Sequence, residues 1–285
     1  MNSSSKGVLY VVATPIGNLD DLSRRASATL AGADLIAAED TRYSARLLAH
    51  LGVRIPLLSL HEHNEASRIE RIRGALDAGE QVALISDAGT PLISDPGYRL
   101  VRALRESGHD IVPVPGPCAL VAALSAAGLP TERFLFEGFL PARGAARRQR
   151  LTAQVDTAAT LVFHESPHRI RDLLEDIETV FGSREVVLAR ELTKTFETFA
   201  GGSAATLLSR IEADPDQGRG EFVVMIAPAE EGGRERCDID AEALLAALLA
   251  EGVGVKQCAR IAARALGGSR NEWYLRTQQL KQGET

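Results

Sequence analysis

Three cysteines in 285 residues are too few for a disulfide framework, and Cys118, Cys237 and Cys258 stand too far apart to form a C-x-x-C metal or redox pair. A reducing, cytoplasmic setting follows. Long apolar runs are also missing: none reaches the roughly 18–20 residues that a bilayer span requires. The opening Met-Asn-Ser-Ser-Ser-Lys carries neither an apolar stretch nor a cleavage signature, so neither secretion nor membrane insertion is expected. Nor is there an excess of positive charge. With 32 Lys and Arg against 38 Asp and Glu, the net charge of −6 excludes a general basic coat, and any nucleic-acid partner must be held by local patches. No G-x-G-x-x-G follows a strand-like run and no G-x-x-x-x-G-K-[ST] occurs, which disfavours ordinary dinucleotide and nucleoside triphosphate sites. Gly252-Val253-Gly254 lacks both the third glycine and a preceding strand, and no repeat of solenoid type is visible.

What is present alternates. Short apolar, β-branched runs at Val8–Ala13, Asp34–Ala37, Val82–Ser86, Ile111–Val114, Thr160–Phe163, Glu185–Ala189 and Phe222–Ala227 predict strands. Between them, helical spacing predicts helices at Ser23–Ala31, Glu65–Ala78, Tyr98–Ser107, Ala119–Ala127 and Arg169–Val180, often closed by glycine. The class is therefore α/β. Texture breaks near Leu129–Arg150 and again at Pro228–Asp240, dividing the chain into residues 1–129, 130–229 and a linker with a helical tail, 230–285.

Three loops at strand ends share one grammar of glycine, proline and small polar residues: Ala13–Leu19, Ile85–Gly97 and Val114–Ala119. Ligands of open α/β sheets sit at such ends, where glycine lets backbone approach a ligand and proline fixes loop shape. Asp87 and Asp95 can accept hydrogen bonds from hydroxyl or ammonium groups. Together the loops make a pocket.

These loops, with Ala38-Glu39-Asp40-Thr41-Arg42, His61-Glu62-His63-Asn64-Glu65, Phe134–Pro141, Phe163–His168 and Arg190-Glu191-Leu192-Thr193-Lys194, resemble the tetrapyrrole-methylase-like methyltransferases. Within them the match is to the branch that 2'-O-methylates a cytidine of small-subunit ribosomal RNA. The resemblance spans about Val8 to Ala227, and the tail is similar to that branch's small helical extension. It implies two α/β subdomains with a donor-binding cleft between them and a helix-turn-helix-like RNA-binding extension. S-adenosylmethionine as methyl donor, 16S rRNA within the small ribosomal subunit as partner, and a homodimer are implied too. Carried over residue by residue, the donor-binding positions are Pro15, Gly17, Asp87, Ala88, Gly89, Thr90, Ile93, Pro115, Gly116, Cys118, Ala119, Phe163, Glu165 and Gly201. Position 118 holds cysteine where the family pattern has serine.

Transfer to a hydroxyl needs alignment and a destination for one proton. Candidate catalytic residues, ranked by family position and polarity, are Glu39, Asp40, Arg42, His61, Glu62 and Lys194. Each has a plainer reading: Asp40 and Arg42 as terminal charges of the next helix, His61 as a solvated loop residue, Lys194 as half of a surface ion pair. His164-Glu165-Ser166-Pro167-His168 formally fits H-E-x-x-H, the zinc-protease signature. Because it follows directly on a strand and Ser166-Pro167 reads as an N-cap and first helical position, the two histidines do not share a helical face, and no metal is expected.

Two basic patches suit RNA phosphates. Arg143, Arg147, Arg148 and Arg150 stand without an acid in a loop beside the domain boundary, and a solvated mobile loop is the alternative. Lys256, Arg260 and Arg264 repeat along a predicted helix whose other face carries Val255, Ala259, Ala262 and Leu266, with Ser269 capping a last helix. Two rivals stand beside the rRNA methyltransferase reading: a methyltransferase acting on a tetrapyrrole, disfavoured by the basic tail, and a noncatalytic RNA-binding module, disfavoured by the three shaped loops.

Overall fold

The computed structural model describes residues 7–61, 64–229, 241–266 and 268–283. Cys237 and the candidate Glu62 lie outside them. Among the described residues no helix is long and apolar enough to cross a membrane. The chain divides into two compact units, residues 1–229 and 230–285.

The first half of the larger unit alternates strand and helix: β1 (Val8–Val12), α1 (Arg24–Ala31), β2 (Leu35–Ala38), α2 (Thr41–His50), β3 (Leu57–Ser59), α3 (Glu65–Asp77), β4 (Gln81–Ile85), α4 (Tyr98–Glu106), β5 (Asp110–Val114) and α5 (Ala119–Ala126). Its strands form a parallel sheet in the order β3-β2-β4-β1-β5. Apolar residues are buried on both faces, Leu9, Val82 and Leu84 on one and Val12, Ala83 and Ile85 on the other, as helix-covered parallel strands require. Strand order has a direct consequence for the site. Because β4, β1 and β5 are neighbours, the three glycine- and proline-rich loops that follow them emerge side by side at one sheet edge.

The second half consists of β6 (Phe134–Phe139), α6 (Gly144–Thr152), β7 (Thr160–Glu165), α7 (Ile170–Phe181), β8 (Val186–Arg190), β9 (Thr198–Gly202), α8 (Ala204–Ala213) and β10 (Phe222–Ile226). Its sheet is mixed, in the order β6-β7-β10-β8-β9, with β10 antiparallel to both of its neighbours. One face, with Leu161, Phe163, Leu188 and Val224, packs on α6, α7 and α8. The other, with Val162, Val187, Ala189 and Val223, receives Leu120, Ala123 and Leu124 of α5. Helix α5 thus belongs by sequence to the first half and by packing to the second, and its first turn lies where the two sheets meet.

The arginine segment is not a loop. It is α6, with Arg143 at the N-cap, and acids reach it from elsewhere in the fold. Arg147 is only 3 % exposed; its Nε donates to Asp176 at 2.6 Å, Arg148 binds the same carboxylate at 2.8 Å, and Arg150 binds Glu137 at 2.7 Å. Arg147 is therefore withdrawn from any phosphate clamp, because its charge is spent holding α6 on α7. Arg143, Arg148 and Arg150 keep exposed surface.

The smaller unit holds α9 (Ala241–Ala250), α10 (Val255–Ala265) and α11 (Arg270–Gly283). Leu245, Cys258 and Ala262 form its core, with Trp273 and Leu280 packed against it. At the start of α11, Ser269 Oγ accepts from Glu272 N–H at 3.2 Å while Glu272 accepts from Ser269 N–H at 3.3 Å, a reciprocal cap. Lys256, Arg260 and Arg264 lie on the exposed side of α10, opposite buried Ala259 and Ala262.

Candidate active site

The three loops are stitched together by their own backbone and hydroxyls. Thr14 and Gly89 exchange N–H···O bonds of 2.8 and 3.0 Å, and Thr14 Oγ1 donates to Ser86 O at 3.2 Å. Thr90 Oγ1 donates to Pro117 O at 3.0 Å, tying the loop after β4 to the loop after β5. The loop after β2 joins through Asp87, whose carboxylate accepts from Asp40 N–H at 3.0 Å. Such cross-bracing leaves a preformed wall.

This wall and the facing edge of the second sheet enclose a cavity of about 500 Å³. The first half lines it with Ile16, Glu39, Asp87, Ala88, Gly89, Thr90, Ile93 and Asp95, the start of α5 with Cys118, Ala119 and Leu120, and the second half with Phe139, His164, Glu165, Ala189, Leu192, Glu221 and Val223. The volume suits a small-molecule ligand. Burial raises the Asp95 carboxyl above the usual range against a hydrogen bond from Ser86, with neighbouring Asp87 adding to the rise. Carboxylates converge on the space, which favours a cationic or hydroxyl-bearing occupant.

Of the expected donor-binding positions, Asp87, Ala88, Gly89, Thr90, Ile93, Cys118, Ala119 and Glu165 line the cavity, and six do not. Pro15 is buried behind the wall, and Pro115 is exposed. Gly17 and Gly116 serve close packing: a Cβ would stand 2.5 Å from Lys194 Cγ at the first and 3.0 Å from Ala13 Cβ at the second. Phe163 points into the opposite core, because strand alternation turns His164 to the cavity instead. Gly201 sits on edge strand β9, paired with Val187. Cys118 occupies the N-cap of α5 without a side-chain cap bond.

The candidate catalytic residues separate as well. Among the described ones, Glu39 alone lines the cavity. Asp40 caps α2 and binds Arg42, whose guanidinium and backbone N–H hold its carboxyl at about 2, so the pair is a helix terminus. His61 is fixed to Asn64 through its backbone N–H and its ring, at 2.9 and 3.0 Å. In the same segment Glu65 is buried and accepts from Leu100 N–H at 2.9 Å, so it positions α4. Lys194 binds Glu191 at 2.9 Å and Glu221 at 3.1 Å. Burial lowers its affinity for a proton, but the two carboxylates outweigh burial and hold it above the ordinary value, so it stays charged and does not accept a proton.

The H-E-x-x-H segment follows neither the zinc pattern nor the expected cap. His164 and Glu165 end β7, residues 166–169 form the connection, and α7 begins at Ile170, so Ser166 and Pro167 precede the helix by a turn. Glu165 is buried and bound to Ser166 N–H at 2.8 Å and Arg169 at 3.1 Å. His164 Nε2 is buried without a hydrogen-bond partner. Burial holds this imidazole below its ordinary 6.5, with Glu221 pulling the other way. The unfolded chain then takes up the proton near 6.5 and the folded chain only at lower pH, so stability falls as pH drops through that window and is unaffected above it. Replacing His164 with Phe should flatten the urea-unfolding free energy between about pH 7 and about pH 5.5; parallel curves for the two proteins would show that the ring is solvated.

The comparisons with known proteins agree with this geometry. Residues 8–208 match the model of the Tetrapyrrole (Corrin/Porphyrin) Methylases, and residues 235–281 match the RsmI C-terminal HTH domain. A Pseudomonas aeruginosa protein named ribosomal RNA small subunit methyltransferase I is 52% identical, covering 99% of this chain and 100% of that one. The chain belongs to the tetrapyrrole methylase family, in its ribosomal RNA small subunit methyltransferase I branch. A Xylella fastidiosa protein of the same name is 50% identical over 95% of this chain and 99% of that one. Among solved structures, a cobalt precorrin-4 methyltransferase superposes with a TM-score of 0.58 at 17% identity, covering 77% of this chain and 94% of that one, which shows a shared fold. The methylase is an enzyme that uses S-adenosylmethionine as methyl donor. The donor's chemistry fits the wall: a cavity of about 500 Å³, a backbone cradle at Gly89, and the carboxylates of Asp87, Asp95 and Glu39 facing a molecule with a sulfonium, an ammonium and ribose hydroxyls.

The second sheet's contribution, Phe139, His164, Ala189, Glu221 and Val223, was not read from sequence. The signal was alternation along β7, β8 and β10, which decides the cavity-facing side only once the sheet's covered face is known.

Proposed function

We propose that this chain methylates the 2'-hydroxyl of a cytidine in the decoding region of 16S rRNA within the small ribosomal subunit, in the cytoplasm and as a homodimer. The observation that carries the reading is end-to-end likeness to relatives named for small-subunit ribosomal RNA, the cation-bearing tail included. A tetrapyrrole substrate gives no role to the exposed row Lys256, Arg260 and Arg264.

S-adenosylmethionine, when bound, supplies a methyl group already activated on sulfur. The chain's own contribution is then alignment and a path for one proton. Asp87 and the backbone at Ala88, Gly89 and Cys118–Ala119 hold the donor, and Glu39, at the cavity wall, takes the hydroxyl proton. Lys194, paired with Glu191 and Glu221, fixes the charge of the opposite rim. Arg143 at the N-cap of α6, the exposed Arg148 and Arg150 within it, and the α10 row bind phosphates.

Incubating the full chain and labelled donor with small subunits or with tetrapyrroles tests the reading; label in RNA at an alkali-resistant cytidine linkage supports it, and label in a tetrapyrrole alone overturns it. Cutting after Ala229 should leave a folded, donor-binding core, because β10 is complete and Ala229 N–H is already bonded to Thr157 O at 3.0 Å. Methylation of subunits should fall at least tenfold, and its dependence on log salt should become shallower by about 2–3 as three phosphate partners are lost. Full activity across salt concentrations would make the tail an appendage.

A further inference from the structure

Phe136, His164 and Phe139 form a file of rings on the second sheet's cavity side. The imidazole centroid lies 5.0 Å from Phe136 and 5.5 Å from Phe139, edge-on to both. In an unbroken strand, positions 136 and 139 would face opposite ways. The pairing of β6 with β7 shifts between Phe136 and Gly138, so that Phe139 rather than Gly138 stands opposite His164. Gly138 takes a φ of +63°, which a side chain rarely adopts, and a Cβ there would stand 3.3 Å from Ser94 Oγ. One inserted residue therefore turns a second phenylalanine toward the site.

The two phenylalanines are not equivalent. Phe136 packs with the apolar cluster beneath α5, whereas Phe139 lines the cavity and remains 57 % exposed. Core packing does not account for an aromatic ring held open by a bulge. A flat ring braced edge-on by its neighbour suits stacking against another flat ring. Two such rings can come to this cavity: the adenine of the donor and the base of the acceptor nucleotide. The acceptor is favoured, because no residue of β6 belongs to the donor-binding set carried over from the family. A nucleotide whose ribose must enter a cleft also leaves its own stack, and an aromatic side chain replaces that lost contact.

We infer that Phe139 is the stacking platform for the base of the nucleotide that is methylated, an inference resting on the ribosomal RNA reading above. Stacking is tolerant of base identity. Phe139 thus sets where the nucleotide sits, and cytidine selection comes from other groups.

The test uses the full chain with small subunits as substrate and calorimetry for S-adenosylmethionine. Phe139→Leu, which keeps apolar bulk, and Phe139→Ala should raise KM for subunits roughly 5- to 100-fold while donor Kd stays within about twofold. Phe139→Trp should restore KM. Thermal melts show whether each variant is folded, and the leucine variant decides if the alanine variant is not. Unchanged KM in Phe139→Leu overturns the inference while leaving the substrate reading intact, as does a parallel loss of donor affinity, which would assign the ring to adenine. Failure of the unaltered chain to label subunits overturns both.

Discussion

Gly89→Val should reduce S-adenosylmethionine affinity by on the order of 100-fold, about 2.8 kcal/mol, in calorimetry run with chelator present. Gly89 lies at the cavity wall with φ at +84°, where a β-branched residue is strained by about 1–3 kcal/mol. A Cβ would also stand 3.2 Å from Ile16 Cγ2 on the cavity wall, so either the Ile16 side chain gives by a few tenths of an ångström or the loop after β4 shifts. A shift of that loop would weaken the Thr14–Gly89 exchange of backbone hydrogen bonds on which the wall depends. Strain lowers stability and loop displacement lowers affinity, so thermal melts beside the titrations separate the two. Unaltered affinity in a folded Gly89→Val protein would remove the loop from the donor site. The unaltered chain should bind equally well with and without chelator.

The other large effect lies away from the cavity. Asp176→Ala should destabilise the fold by about 3–5 kcal/mol, because it leaves the Arg147 guanidinium buried beside only the distant and largely exposed Asp172, 3.8 Å away. Chemical denaturation of the full chain measures it. The variant's donor affinity should be unchanged under native conditions, as neither residue lines the cavity. A loss below about 1 kcal/mol would mean that water reaches Arg147 and that the pair behaves as a surface bridge.

This pair also marks what the sequence does not disclose. Four arginines without a local acid read as an exposed patch, yet Asp172 and Asp176 are one helical turn apart on α7 and Glu137 is on β6, so neutralisation comes from elements that meet only in the fold. The same limit explains the missed strands. Central strands β1, β2, β4, β7, β8 and β10 are covered on both faces and announce themselves as apolar runs. Edge strands β3, β6 and β9 do not: β3 has three residues, β6 is interrupted by the bulge before Gly138, and β9 ends in Gly201-Gly202. The edge strand β5 was legible because Ile111–Val114 is strongly β-branched.

The site divides along the same line. The first half's loops were legible because glycine and proline punctuate strand ends, and eight of the fourteen expected donor positions line one cavity. Its other wall is made by side chains whose orientation depends on sheet pairing: Phe139 and His164 stand in the family-like segments Phe134–Pro141 and Phe163–His168, but nothing local tells which way either ring faces. Asp40 and Arg42 drew notice as charges, and their chemistry is that of a helix cap.

The central place of β10 in the second sheet has a consequence for biosynthesis. β7 and β8 do not pair with each other; each pairs with β10, which is made after both. As the chain is synthesised, the parallel sheet can close once β5 has emerged, whereas β6–β7 and β8–β9 wait as two separate pairs with unsatisfied inner edges until Phe222–Ile226 appears. Nascent chains stalled before that strand are exposed to edge-to-edge pairing with one another. The last strand of the larger unit to be made is thus the one that removes its two open inner edges at once.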